Sequence, residues 1–121
     1  MARSSRILVI PHVGLAIGRL IRIGEMIAGG AIQADEIHVR VPRRAVSAAR
    51  RHLPSQCRLA VADDAWSANT ESGEVDVSGF IQGLERDRAL CRELNPDRIV
   101  GDPGLDAAII GEDLGIPWSA V

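Results

Sequence analysis

Arg6–Ile10 (RILVI) puts four branched apolar side chains in a row with no polar residue between them. A strand with one wet face alternates apolar and polar. A short unbroken apolar run marks a strand buried on both sides, as when helices cover both faces of a parallel sheet. The run leads into a turn holding Pro11, His12 and Gly14, and then into a helical segment from about Leu15 to Ala28. There Leu20, Ile23 and Ile27 share one face while Arg19, Arg22 and Glu25 point elsewhere, and Gly29-Gly30 ends the pattern.

The same succession recurs along the chain. Glu36–Val41 (EIHVRV) alternates and reads as a second strand. Pro42 suits the first turn of the next element, a basic helix over Arg43–Leu53 with Pro54 beyond it. Arg58–Ala62 (RLAVA) is a third strand, and the polar stretch Asp63–Ser78 is a long loop of the kind that carries function. Val77–Leu94 reads as a helix with Phe80, Ile81, Leu84, Leu90, Cys91 and Leu94 inward, ended by Asn95-Pro96. Arg98–Val100 is a fourth strand and Gly101–Gly104 a turn. Leu105–Leu114 is a short helix closed by Gly115, and Pro117–Val121 is a fifth strand. Strands alternating with helices predict one α/β domain over residues 1–121, a three-layer sandwich around a parallel sheet of these five strands.

Composition narrows the function. Aromatics are only 2% of the chain (Phe80, Trp66 and Trp118), so the core is aliphatic. Stacking platforms for single-stranded nucleic acid are missing, and no nucleic-acid motif is present. Charge is segregated: residues 1–58 carry ten Arg against Glu25, Asp35 and Glu36, whereas residues 59–121 carry four Arg against thirteen acids. Every basic residue is Arg, a bias expected of a GC-rich genome. Cys57 and Cys91 form neither a zinc pattern nor a secreted disulfide framework, so reduced thiols in a cytoplasmic protein are expected. No apolar stretch reaches membrane-spanning length, and the N-terminus lacks the apolar core of a signal peptide.

In a sheet of this kind ligands bind beyond the carboxyl ends of the strands, where strand order reverses. The loops Pro11–Gly18 and Gly101–Gly104 are expected to share that crevice, bringing His12 and Asp102 together. A carboxylate that holds one ring nitrogen leaves the other to take a proton, so the pair suits a general base; a partly exposed loop histidine is the plainer reading. Gly14, Gly18 and Gly24 do not make a dinucleotide fingerprint, and there is no Lys for a phosphate-binding loop. Gly14 then permits the turn, with Gly18 or Gly24 letting the helix pack closely on the sheet; alternatively, amides at this helix start face a ligand oxygen. Arg40, Arg43, Arg44, Arg50 and Arg51 read either as a solvated helix face or as a contact for anionic head groups or a phosphorylated substrate. Asp63-Asp64 reads either as a divalent-metal pair or, more commonly at a strand end, as a loop signal, and no metal site is expected.

The segment NPDRIVGDPGLDAAIIGEDLGIPWSAV resembles the end of the N-terminal domain of GT-B glycosyltransferases, the UDP-glycosyltransferase and MurG-like superfamily. Pro96, Asp97, Ile99, Val100, Asp102, Ala107, Ala108, Leu114, Gly115, Ile116 and Pro117 carry the match, and the opening strand, Gly-bearing turn and amphipathic helix agree with it. The resemblance implies a Rossmann-like, acceptor-binding domain. It implies His12 as the base and Asp102 as its orienting acid, with Pro11, Gly14, Leu15, Arg19, Pro103 and Gly104 around the acceptor. In the family's opening register Leu15 stands where the histidine belongs, and His12 lies three residues earlier. The family's nucleotide-sugar donor is held by a second domain, so no cofactor is expected on this one. The expected partners are a donor-binding domain or subunit and a small-molecule or lipid-linked acceptor, with peripheral contact at the inner membrane face and no nucleic acid. The chain stops at the fifth strand, so an acceptor-side half inactive alone is expected. A non-catalytic partner subunit and an unrelated nucleotide-binding module are the rival readings.

Overall fold

The apolar run at the start of the chain becomes the centre of a five-stranded, all-parallel sheet. The computed structural model describes residues 4–12, 17–62, 77–102 and 104–121. In chain order these residues form β1 (Arg6–Pro11), α1 (Gly18–Ala28), β2 (Glu36–Pro42), α2 (Val46–His52), β3 (Arg58–Ala62), α3 (Val77–Leu94), β4 (Arg98–Asp102), α4 (Leu105–Leu114) and β5 (Trp118–Ala120). A single 3-10 turn, Arg43–Ala45, leads into α2. The strand order is β3-β2-β1-β4-β5, so the chain works outward from β1 on one side, then crosses back to its other side. This is a Rossmann-like architecture.

Alternation along the strands divides the core in two. Ile7 and Val9 of β1 join Ile37, Val39 and Val41 of β2 beneath Leu20, Ile23 and Ile27 of α1 and Ala49 of α2. Leu8 and Ile10 point the other way and join Ile99 of β4, Leu84 and Cys91 of α3, and Ala107 and Ile110 of α4. Covering both faces is what makes β1 apolar throughout, and each such side chain contributes about 1.5–3 kcal/mol on burial. At the amino ends of the strands Arg6 ties three of them together. Its guanidinium reaches Glu36 at 2.8 Å and the Leu94 carbonyl, and its amide donates to Asp97 at 2.8 Å.

Several expectations shift in detail. Helix α1 starts at Gly18; Leu15 and Ala16 lie outside the described residues. Pro42 closes β2 rather than opening a helix, and the basic segment begins as a 3-10 turn. Ile81, expected inward, is exposed, whereas Asp87 on the same helix is buried. Of the segment Asp63–Ser78, residues 63–76 lie outside the described residues, and Val77 and Ser78 already belong to α3. Among the described residues no helix is long and apolar enough to cross a membrane.

Candidate functional site

β1 and β4 are neighbours at the point where strand order reverses, so their carboxyl ends open one crevice. Pro11 pairs in register with Asp102, and the His12 amide donates to the Asp102 carbonyl at 2.7 Å. His12 and Asp102 are therefore adjacent along the backbone, as the sequence predicts. Their side chains go to different places. Partners in register share a face, so Asp102 turns with Pro11 toward α1, and the next residue, His12, turns toward α3 and α4. Asp102 is buried; Arg22 meets its carboxylate at 2.5 Å and Arg19 at 3.9 Å.

Asp106 is the acid whose charge favours protonation of His12. Helix α4 begins immediately after β4, with Gly104 as its N-cap, and this places Asp106 in the first turn. A carboxylate there is favoured by the helix dipole. Asp106 is only 4% exposed, and burial pushes its carboxyl up, while His12 and Arg40 pull it back down. Burial lowers the proton affinity of His12, Asp106 raises it, and Arg40 and Arg19 lower it further.

A second buried pair lies beside this one. Arg40 on β2 faces α3, and its Nε sits 3.2 Å from Asp87 Oδ1, with both side chains shielded from solvent. The contact is an ion pair rather than an aligned hydrogen bond, since Arg40 Nε has no hydrogen-bond partner. Asp87 is pushed up to about 6, first by burial and then by Asp106, against the pull of Arg40 and Arg86. Oδ2 of Asp87 and Oδ2 of Asp106 both lie buried without a hydrogen-bond partner among the described residues. Arg40 thus pairs with Asp87, and Asp106 has no ion pair among the described residues. Burial favours the protonated form of both aspartates and the neutral form of His12. The Arg40–Asp87 pair, with His38, Arg86 and Glu93, also lines a groove of about 550 Å³ between the β2–β3 edge and α3, with Leu59, Val61 and Leu90 as apolar walls. That is the size of a small-molecule site.

The remaining expected site residues divide clearly. Arg19 is exposed, and its guanidinium lies 3.3 Å from the His12 carbonyl, at the crevice. Pro11 is fully buried within β1, which removes it from direct contact with an acceptor. Gly104 abuts β5, where an added Cβ would meet Ala120 Cβ at 2.4 Å; its lack of a side chain serves packing. Gly14, Leu15 and Pro103 lie outside the described residues. Of the arginine run, Arg43, Arg44, Arg50 and Arg51 are exposed, while Arg40 is interior. Among the described residues no group of three or more His, Cys, Asp or Glu could hold a metal ion.

Sequence reasoning overlooked Asp87 and Asp106, but each left a signal. Asp87 falls between Leu84 and Cys91 on the inward helical face, three residues after one and four before the other. Asp106 stands at the first turn after a strand end, where carboxylates are favoured.

No family model and no curated protein matches the chain. Solved structures do share its fold. The glycotransferase of kitacinnamycin superposes with a TM-score of 0.63 at 18% identity, covering 98% of this chain and 30% of that one. Phytolacca americana UGT2, complexed with UDP-2fluoro-glucose and pterostilbene, gives 0.62 at 17% identity, covering 99% and 30%. The C-terminal domain of a hydrogenase from Pyrococcus furiosus gives 0.58 at 14% identity, covering 96% and 89%. The chain thus spans about a third of the two glycosyltransferases and most of the hydrogenase domain. At these identities the likeness is one of fold.

Proposed function

We propose that this chain is the acceptor-side domain of a glycosyltransferase, which transfers a sugar from a nucleotide-sugar donor to a hydroxyl acceptor once a donor-binding domain or subunit is supplied. The observation that carries the reading is His12 at the carboxyl ends of β1 and β4, where its amide meets the Asp102 carbonyl at 2.7 Å, in a fold that sugar transferases share over nearly the whole of this chain. In this reading His12 takes the acceptor's hydroxyl proton as the glycosidic bond forms and the nucleotide leaves. Asp106 stabilises the resulting imidazolium. Asp102 fixes Arg22 and Arg19 at the rim of the site instead of orienting the ring. The groove beside Arg40 and Asp87 takes the apolar body of the acceptor. The exposed Arg43, Arg44, Arg50 and Arg51 suit an acceptor carried on an anionic lipid surface.

The test is to express the chain with a donor-binding domain and screen hydroxylated acceptors against UDP-sugars. Transfer that falls at least a hundredfold in His12→Ala and His12→Gln supports the reading. Transfer that survives both substitutions, or that the chain performs with no donor domain, overturns it. The hydrogenase domain gives a second reading some weight, because the same fold serves there in a chain of other function. In that reading this chain is a non-catalytic binding module, and a stable complex with a partner protein that is indifferent to His12→Ala would mark it.

A further inference from the structure

We propose that the groove between the β2–β3 edge and α3 binds, on its Arg40–Asp87 pair, a neutral group that donates and accepts hydrogen bonds at once: a hydroxyl or a carboxamide. The site stands on the groove's own geometry; that its ligand is the sugar acceptor rests on the function proposed above.

The groove follows from small side chains. β3 pairs with β2 so that Ala60 stands beside Arg40 and Ala62 beside Pro42, on the sheet face that Arg40 turns to α3. A methyl group at each of these positions, and another at Ala89 of α3, leaves the space between strand edge and helix open. The lining carries polar groups that the protein does not satisfy. Among the described residues five buried side-chain atoms lack a hydrogen-bond partner, and three of them belong to residues that line this groove: His38 Nε2, Arg40 Nε and Asp87 Oδ2. Native proteins meet nearly all of their buried polar atoms, so three unmet ones at one groove mark a place where a ligand supplies the partners.

The central pair sets the chemistry. Arg40 offers N–H donors and no acceptor. Asp87, its carboxyl held at about 6, is ionised at neutral pH and offers only acceptors. The two side chains are 6% and 4% exposed and meet at 3.2 Å without hydrogen-bond alignment. Parting a misaligned contact to admit one polar group gives up little hydrogen bonding. A hydroxyl or a carboxamide presents a donor and an acceptor side by side and so satisfies both partners. A carboxylate has no donor and sets a second anion beside Asp87; an amidinium has no acceptor and sets a second cation beside Arg40. The walls Leu59, Val61 and Leu90 suit an apolar body behind the polar group.

The experiment is an NMR titration of the chain at about pH 7.5 with probes of one shape: benzamide, phenol, benzoate, benzamidine and toluene. Benzamide or phenol binds saturably, with a Kd on the order of millimolar for so few atoms. Either shifts the signals of His38, Ala60 and Leu90, which line the groove, and leaves those of His52 on α2, outside it, in place. Benzoate, benzamidine and toluene bind about tenfold more weakly or worse. The better of benzamide and phenol tells which of the two groups the site prefers. Ala60→Leu, on the edge strand, fills the groove without changing charge and abolishes binding. Arg40→Met with Asp87→Leu, an apolar replacement of the kind buried ion pairs generally tolerate, erases the preference, so that toluene binds as well as benzamide. The proposal is overturned if neither benzamide nor phenol saturates, which would leave the unmet atoms to water. It is equally overturned if benzoate or benzamidine matches them, if a folded Ala60→Leu chain binds as wild type does, or if the preference survives the folded double variant. Probe binding as described, with no sugar transferred to any acceptor even when a donor domain is present, would sink the glycosyltransferase reading alone; sugar transfer without probe binding would sink this one alone.

Discussion

Gly24→Ala isolates the tightest contact in the helical layer. Gly24 lies on the buried side of α1, against the carboxyl end of α2. An added Cβ would stand 2.2 Å from the His52 carbonyl oxygen, 3.2 Å from its carbonyl carbon and 3.6 Å from Leu53 Cα. Carbon–oxygen contacts of this kind settle near 3.3 Å, so α1 or the end of α2 must retreat by about 1 Å. The obstacle is backbone and cannot rotate away. The retreat also loosens Leu20, Ile23 and Ile27, which sit on the same face of α1 in the interior. Overpacking of this degree costs about 1–3 kcal/mol, and the better helix propensity of Ala returns about 1 kcal/mol. A backbone obstacle puts this site at the upper end of that range, so the net is a destabilisation of about 2 kcal/mol, or roughly 8 °C in Tm for a domain of this size. Gly18 is the control, because a Cβ there meets nothing within 4 Å. Thermal unfolding followed by circular dichroism should show Gly24→Ala well below wild type and Gly18→Ala level with it or slightly above. A Gly24→Ala protein as stable as wild type would refute the packing argument.

Other outcomes follow from the buried charges. Burial holds the Asp87 carboxyl at about 6 when folded against 3.8 unfolded, so the folded chain binds that proton more tightly. Its contribution is complete below about pH 4 and is lost, by about 3 kcal/mol, as pH rises through 6. Urea midpoints measured from pH 4 to 7 should therefore fall less in Asp87→Asn than in wild type, and parallel curves would count against the assignment. Asp102→Asn strips the carboxylate from Arg22 and Arg19 and should cost about 1–3 kcal/mol of stability; an unchanged urea midpoint would count against these contacts. Burial pushes the Cys91 thiol up to about 12 and raises Cys57 too, so both should react slowly with a disulfide reagent until the chain is unfolded. Rapid labelling of the native protein would contradict this.

The architecture was legible because it follows from local patterns. The unbroken apolar run of β1, the stripe Leu20–Ile23–Ile27 and the glycines after α1 and α4 each state their own structure, and alternation of the two element types implies the parallel sheet. The crevice was legible for the same reason, since it depends only on where β1 and β4 end. Its chemistry depends on pairings between residues far apart in sequence. Arg40 looks like one charge in a basic run, yet the strand's pleat sends it inward to Asp87, forty-seven residues on. Asp102, which the motif singled out, shares the face of Pro11 and meets Arg22 and Arg19 of α1. Gly18 or Gly24 was expected to bring α1 close to the sheet; the close approach at Gly24 is instead to α2, since helix–helix contacts have no local signature.

The most direct test of the acceptor-side reading is an amide-resolved NMR titration of the chain with UDP-glucose and, separately, with a hydroxylated aromatic acceptor such as pterostilbene. The account predicts that the acceptor perturbs residues around His12, Arg40 and the groove walls Leu59, Val61 and Leu90, while UDP-glucose perturbs none of them. Saturable binding of UDP-glucose to this chain alone, with no response to acceptors, would contradict it.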